Sequence, residues 1–250
     1  MLHGYLPAIV GGLWVTLSVA GLSLALACVF GLLGAAAKLP DSRPLRWAAE
    51  VYRTVVRGLP ELVLMLAIFY GGQILLNDLT EARGWDFIDV PPYAAGVLTI
   101  GIIYGAYLTE TFRGAILAVP RGQAEAALAC GMSRLQVWRR VVLPQTVRHA
   151  IPGFANNWLL MVKATALVSI IGLDNMVHRA NLASAATREP FTFFVAIATI
   201  YLAITTVSIL LLSRLEKRYS LGLKAVSFQP WTGPSFSKAC PTSAPACRCA

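Results

Sequence analysis

Glu61, Glu110, Asn156, Asn157 and Lys163 stand inside or at the ends of otherwise apolar runs. A charged group in hydrocarbon is costly enough to be a functional candidate by default. Glu61 follows Pro60 and opens its run, where a carboxylate is favourable at a helix start whatever else it does. Its other use is to attract the ammonium or guanidinium of a cationic solute. Glu110 precedes Arg113 by three residues, one helical turn, so an internal ion pair competes with a place on a solute path. Lys163 has a stem long enough to snorkel toward an interface. Asn156 and Asn157 can hydrogen-bond an amino or carboxylate group, or pack between helices. Tyr104 and Tyr107 share a helix face, as path lining or as packing, and Gly101, Gly105 and Ala106 would let another helix approach closely.

Covalent and metal chemistry find no footing. His3, His149 and His178 are scattered without an HExxH pairing. Cys28, Cys130, Cys240, Cys247 and Cys249 match neither a zinc ligand set nor a paired disulfide framework. There is no Walker A loop and no GxSxG turn. The expectation is no catalytic residue, no metal and no cofactor bound by this chain, so any driving chemistry sits elsewhere.

The elements that must carry these residues belong to a membrane. The chain has 250 residues, 57% hydrophobic and 13% charged, with mean hydropathy +0.65. A soluble domain has about a quarter of its residues charged. The net charge of +9 forms no basic stripe with interleaved aromatics, which argues against nucleic acid. A spanning helix needs about 20 apolar residues. Such runs occur over Ala8–Ala37, Pro60–Asn77, Val90–Thr109, Ile151–Leu173 and Phe191–Ser213. Only His3 precedes the first, so it reads as a span and not a cleaved signal. The basic segments are Lys38–Leu59, the stretch between the third and fourth runs, and the stretch after the fifth. Acids gather in Asp78–Asp89, and Asp174–Pro190 is balanced. The positive-inside rule then puts the N-terminus outside and the C-terminus inside. From Gln229 onward the composition turns to Pro, Ser, Ala and Cys, a disordered tail over 229–250.

The inner segment between the third and fourth runs reads RGQAEAALACGMSRLQVWRRVVLPQTVRHAIPG. Gln123–Cys130 predicts a short helix stopped by Gly131 in the left-handed region. Ser133 caps a second helix over Arg134–Val142, with Leu135, Val137, Trp138, Val141 and Val142 as its apolar face, and Pro144 is expected to end it. The set Glu125, Ala126, Ala127, Gly131, Val141, Leu143 and Pro144 resembles the EAA loop of bacterial ABC importer permeases, with Val141 where Ile is commoner.

That resemblance extends over 1–228. EVYRTVVRGLPELVLMLAIFYGGQILLN, IYGAYLTETFRGAILAVPRGQAEAA and VKATALVSIIGL look like the polar amino acid branch, the Q-type subunits of the histidine/lysine/arginine/ornithine and octopine/nopaline kind. It implies an all-α membrane protein of five transmembrane helices with a cytoplasmic coupling loop at 121–148. Glu125, Ala126, Ala127, Gly131, Leu143 and Pro144 would couple that loop to an ATPase. An acid at the position of Glu61 goes with cationic substrates. The Tyr-x-x-Glu-x-x-Arg-Gly pattern around Glu110 is shared regardless of substrate, and the K-x-T-x-L-V-S pattern gives Lys163 a structural or gating role. Implied partners are a second homologous permease chain, two copies of an ABC ATPase carrying ATP and Mg, a periplasmic amino-acid-binding protein and the lipid bilayer. The implied location is the bacterial inner membrane. The implied work is alternating-access import of polar, cationic amino acids or opines. A self-contained secondary transporter is the competing class; it would need an intramembrane acid relay and internal repeats. An intramembrane enzyme would need a nucleophile–base or metal pair in the spans.

Overall fold

The backbone of a chain in lipid must satisfy its own hydrogen bonds, and this one does so with helices. The computed structural model describes residues 4–38, 43–84 and 86–219. Their order is α1 Leu6–Lys38, α2 Arg43–Gly58, α3 Glu61–Glu81, α4 Pro92–Leu117, α5 Arg121–Ala129, α6 Arg134–Val137, a π turn Trp138–Val142, α7 Leu143–Ala164, a 3-10 segment Thr165–Ile171, α8 Met176–Thr187 and α9 Pro190–Tyr219. No strand occurs among the described residues. Five helical stretches are long and apolar enough to cross a membrane: Pro7–Lys38, Glu61–Glu81, Pro92–Leu117, Arg134–Ile171 and Pro190–Arg218. Each contains, or closely overlaps, one of the five apolar runs. The tail from Gln229, with Cys240, Cys247 and Cys249, lies outside the described residues.

Small residues set the central contact. α1 runs parallel to α4, with Ser18 against Tyr93, Ser23 against Val97 and Lys38 against Glu110. A Cβ on Gly101 would lie 2.7 Å from Leu26, and one on Gly105 would lie 2.6 Å from Phe30. The small stripe of α4 therefore admits α1, as the sequence leads one to expect. α7 lies antiparallel on α4, with Gly153 and Asn157 against Thr111 and Val168 against Gly96. Ile100, Leu108, Met161 and Val168 are fully buried where these helices meet.

The two ends of the bundle differ in chemistry. At one end α8 closes over the start of α1, with Ile9, Met176 and Phe193 buried together. Asn175 is buried there: its Nδ2 donates to the Thr165 carbonyl (3.0 Å) and its Oδ1 accepts from the His178 N–H (2.8 Å), so it fixes α8 to the 3-10 segment. Beside it Arg179 makes a two-pronged contact with Asp174 (2.9 and 2.8 Å) and reaches the Ala8 carbonyl. That hydrogen bonding holds the Asp174 carboxyl below its usual range. At the other end lie Lys38, the start of α2, the end of α4 and α5. The basic segments therefore share one end.

One expectation needs correction, and one segment gains structure. The basic segment Lys38–Leu59, read from the sequence only for its charge, contains the helix Arg43–Gly58. Pro144 does not end the helix begun at Ser133. The chain passes through a π turn and continues as α7, with the Leu143 N–H bonded to the Trp138 carbonyl five residues back. Proline breaks a helix because its ring crowds the carbonyl four residues earlier and it offers no N–H. A π turn opens that spacing, so Pro144 fits the first turn of α7. The fourth span accordingly begins well before Ile151, at Arg134.

Candidate functional site

The break between α2 and α3 places the first functional side chain. Pro60 (φ −58°, ψ 135°) precedes Glu61, which begins α3. Glu61 is half-buried and faces Tyr104 of α4, whose hydroxyl donates toward the carboxylate oxygens at 3.4 and 3.5 Å. Tyr104 is buried, and its ring lies 5.6 Å from that of Tyr107 at 32°. The guanidinium of Arg57 sits 5.0 Å over the Tyr107 ring, a cation–π contact. Arg57, Tyr107, Tyr104 and Glu61 thus form one continuous band. Glu61 has no cation at ion-pair distance among the described residues.

Glu110 is treated differently. Its Oε1 accepts from Lys38 Nζ and lies 3.6 Å from Arg53 Nε, and its Oε2 lies 3.7 Å from Arg113 Nη1. Lys38 also meets Glu50 at 2.8 Å, and Glu50 meets Arg53. The expected pair of Glu110 with Arg113 exists, but it is the longest arm of a network joining α1, α2 and α4. The Lys38 side chain is only 2% exposed. A buried ammonium survives in such a place only when paired. Tyr52 adds a neutral tie by donating to the Ile102 carbonyl.

The remaining span residues separate. Asn157 is buried and donates to the Gly153 carbonyl (2.8 Å) and Thr111 Oγ1 (3.1 Å), so its amide is engaged in helix packing. Asn156 and Lys163 are exposed on α7, on the same face as Leu160. The structure therefore brings Glu61 to the tyrosine pair, engages Glu110 and Asn157 elsewhere, and leaves Asn156 and Lys163 open on the outside of the single chain.

The loop at the basic end is built from caps. α5 starts after Pro120 and ends in a Schellman arrangement: the Met132 N–H bonds to the Ala127 carbonyl (3.2 Å) and the Gly131 N–H to that of Leu128 (2.9 Å). Gly131 has φ +82°, the left-handed stop anticipated for it. Ser133 then caps α6: its Oγ accepts from the Gln136 N–H (3.4 Å) and its own N–H donates to Gln136 Oε1 (2.9 Å). Gln145 donates to Gln123, joining α7 to α5. Glu125 and Ala126 are exposed, whereas Ala127 is buried within the chain. Leu135 is 78% exposed and Leu143 and Trp138 are also exposed, while Val137 is buried. The apolar face expected of Arg134–Val142 is therefore split between this chain and the outside. Pro144 is exposed beside Leu143.

Lys38, Glu50, Arg53 and Asn175 were not singled out from the sequence. Glu50, an acid among Arg43, Arg46, Arg53 and Arg57, was the available signal. Asn175 offered one too, standing at a helix start.

Residues 27–221 match the family model described as the binding-protein-dependent transport system inner membrane component. The chain is 51% identical over 224 residues to the histidine/lysine/arginine/ornithine transport system permease protein HisQ of Escherichia coli (strain K12), covering 90% of this chain and 98% of that one. It is 39% identical over 210 residues to the octopine transport system permease protein OccQ of Rhizobium meliloti, covering 84% and 89%. A crystal structure of an amino acid ABC transporter contains a chain that superposes with TM-score 0.74 at 32% identity, covering 86% and 95%.

Proposed function

The chain belongs to the family of binding-protein-dependent transport system inner membrane components, and from that premise we propose that it passes cationic amino acids, with Glu61 receiving their charge. The chain is a permease subunit of an ABC amino acid importer. The observation that carries the substrate reading is the contrast between two acids. Among the described residues Glu110 is met by Lys38, Arg53 and Arg113, whereas Glu61 meets the neutral Tyr104 hydroxyl and no cation. A carboxylate without a cation in a spanning helix is a place for one to bind. The substrates named for the similar permeases, histidine, lysine, arginine, ornithine and octopine, support this class.

The remainder of the machine follows the same reading. The basic end faces the cytoplasm and the N-terminus faces the periplasm of the inner membrane. Lys163 and Asn156, exposed midway along a span, meet a second permease chain and the aqueous path between the two. α5 docks on an ABC ATPase through Glu125 and Ala126, while Ala127 seats α5 on its own chain. Gly131, Leu143 and Pro144 hold that loop in shape. Two ATPase copies supply ATP and Mg, a periplasmic amino-acid-binding protein delivers the substrate, and this chain contributes no catalytic group. Nucleotide closure then moves the spans between inward- and outward-facing states.

The test is uptake by the reconstituted complex. Glu61→Gln should lower arginine or histidine uptake at least about tenfold, the size of one lost charged contact, with the ATPase still bound. Unchanged uptake would return Glu61 to a helix-start role. Uptake by this chain alone, collapsed by a protonophore, would overturn ATP-driven import.

A further inference from the structure

Two adjoining hollows on α2 have no part in that transport scheme. One, of about 890 Å³, is lined by Lys38, Arg43, Arg46, Trp47, Glu50 and Arg113. The other, of about 480 Å³, is apolar and runs between α1 and α2 over Leu33, Ala37, Leu45, Ala48, Tyr52 and Ile102. Their linings alternate along the chain, with Ala37 beside Lys38, Leu45 beside Arg46 and Ala49 beside Glu50. The hollows therefore open on neighbouring faces of one helix.

Charge is unevenly used here. Lys38 is engaged by Glu50 and Glu110, and Arg113 leans toward Glu110. Arg43 and Arg46 meet no carboxylate among the described residues. Trp47 is 71% exposed and Leu45 52%, although both flank these cations. A cationic hollow lined by an exposed indole, with an apolar groove on the neighbouring face of the same helix, matches an amphiphile of opposite charge.

We propose that this is a binding site for one anionic phospholipid. Its phosphate lies between the guanidinium groups of Arg43 and Arg46, which present forked donors suited to phosphate oxygens. One acyl chain occupies the groove between α1 and α2. Trp47 sits at headgroup depth, as interfacial indoles do. Free phosphate would leave the groove uncovered, and a zwitterionic lipid would leave both arginines without net compensation. Basic hollows between helices on the positive side of a membrane protein are suited to such headgroups. The choice of the cytoplasmic leaflet rests on the orientation proposed above; the selectivity for anionic lipid does not.

The full chain, extracted with the subunits that accompany it and stripped of lipid, is titrated with phosphatidylglycerol or phosphatidylcholine while native mass spectra count bound lipid. Phosphatidylglycerol should be held at least about tenfold more tightly. Arg43→Gln with Arg46→Gln should abolish that preference, whereas Arg214→Gln with Lys217→Gln, an equal loss of charge at the end of α9, should keep it. Ala48→Trp leaves every charge in place and fills the groove, so it should weaken phosphatidylglycerol binding. Equal affinity for the two lipids, or a preference that survives the double arginine variant, overturns the proposal. Displacement of the lipid by inorganic phosphate at equal concentration reduces the site to an anion site and overturns it too. Disulfide trapping of Leu45→Cys to an accompanying subunit would show the groove filled by protein and do the same. Labelling of Arg46→Cys in sealed vesicles reads the leaflet separately. A label reached only from the periplasm overturns the orientation and leaves the detergent selectivity standing.

Discussion

Two carboxylates of similar apparent promise acquire different work from their neighbours. Among the described residues Glu61 has a phenol at 3.4 Å and no cation; Glu110 has three. The first can bind a charge that arrives, and the second already holds α1, α2 and α4 together. Lys38 makes the loss of Glu110 costly, because its ammonium is enclosed and would keep Glu50 alone among the described residues. Breaking a buried pair from one side typically costs about 3–5 kcal/mol. Glu110 is partly exposed, and Glu50 still faces Lys38, so Glu110→Gln should cost less than a fully buried break, about 2–3 kcal/mol. Thermal unfolding of the purified complex measures it. A variant as stable as the parent would show that the network is ornamental to the fold, and a variant equally stable but inactive would return Glu110 to the solute path.

At the scale of elements, the spans were legible and the junctions were not. Ala8–Ala37 and Phe191–Ser213 carry no charge over a length set by bilayer thickness, so length and hydropathy were enough. α2 was hidden because a charged residue recurs every three or four positions through it, at Arg43, Arg46, Glu50, Arg53 and Arg57. Its buried face, Ala49 and Val56, is too narrow to stand out in composition. Pro144 misled because a local rule about proline met a π turn that only the packed helix reveals. The Lys38–Glu110 contact joins residues 72 positions apart and leaves no local trace. The stop at Gly131, by contrast, was readable from one residue. A Cβ there would touch nothing within 4 Å, so Gly131→Ala is penalised by the left-handed backbone alone. The expected cost is about 1–2 kcal/mol. Hydrogen exchange should show the Gly131 and Met132 amides opening roughly 5–30-fold more often. Unchanged exchange would mean that α6 and its Ser133 cap hold the turn without it.

For the whole molecule, the arrangement of ends matters more than any one helix. The basic segments, the ion network and the α5 loop share one end, while α8 with the Asp174–Arg179 pair closes the other. A motor bound at α5 can therefore act on α4 directly through its C-terminal end, and on α7 through the π turn and the Gln123–Gln145 tie. Those helices carry Tyr104, Asn157 and Lys163. α4 is also bonded to α1 and α2 by the Glu110 network, so displacement at α5 is transmitted to a packed unit and not to a loose loop. Because Ala127 is buried in that unit, the motor surface proposed above falls on the exposed side of α5, which includes Glu125 and Ala126. Glu125→Lys reverses a charge on the exposed face and leaves every internal contact of the loop in place. It should permit insertion and folding, with unfolding temperature unchanged, while substrate-stimulated ATP hydrolysis in the assembled complex falls at least about tenfold, as expected for a charge contact turned repulsive. Full stimulation in that variant would place the motor's footprint elsewhere, on the exposed Leu135 and Trp138 of the following turn.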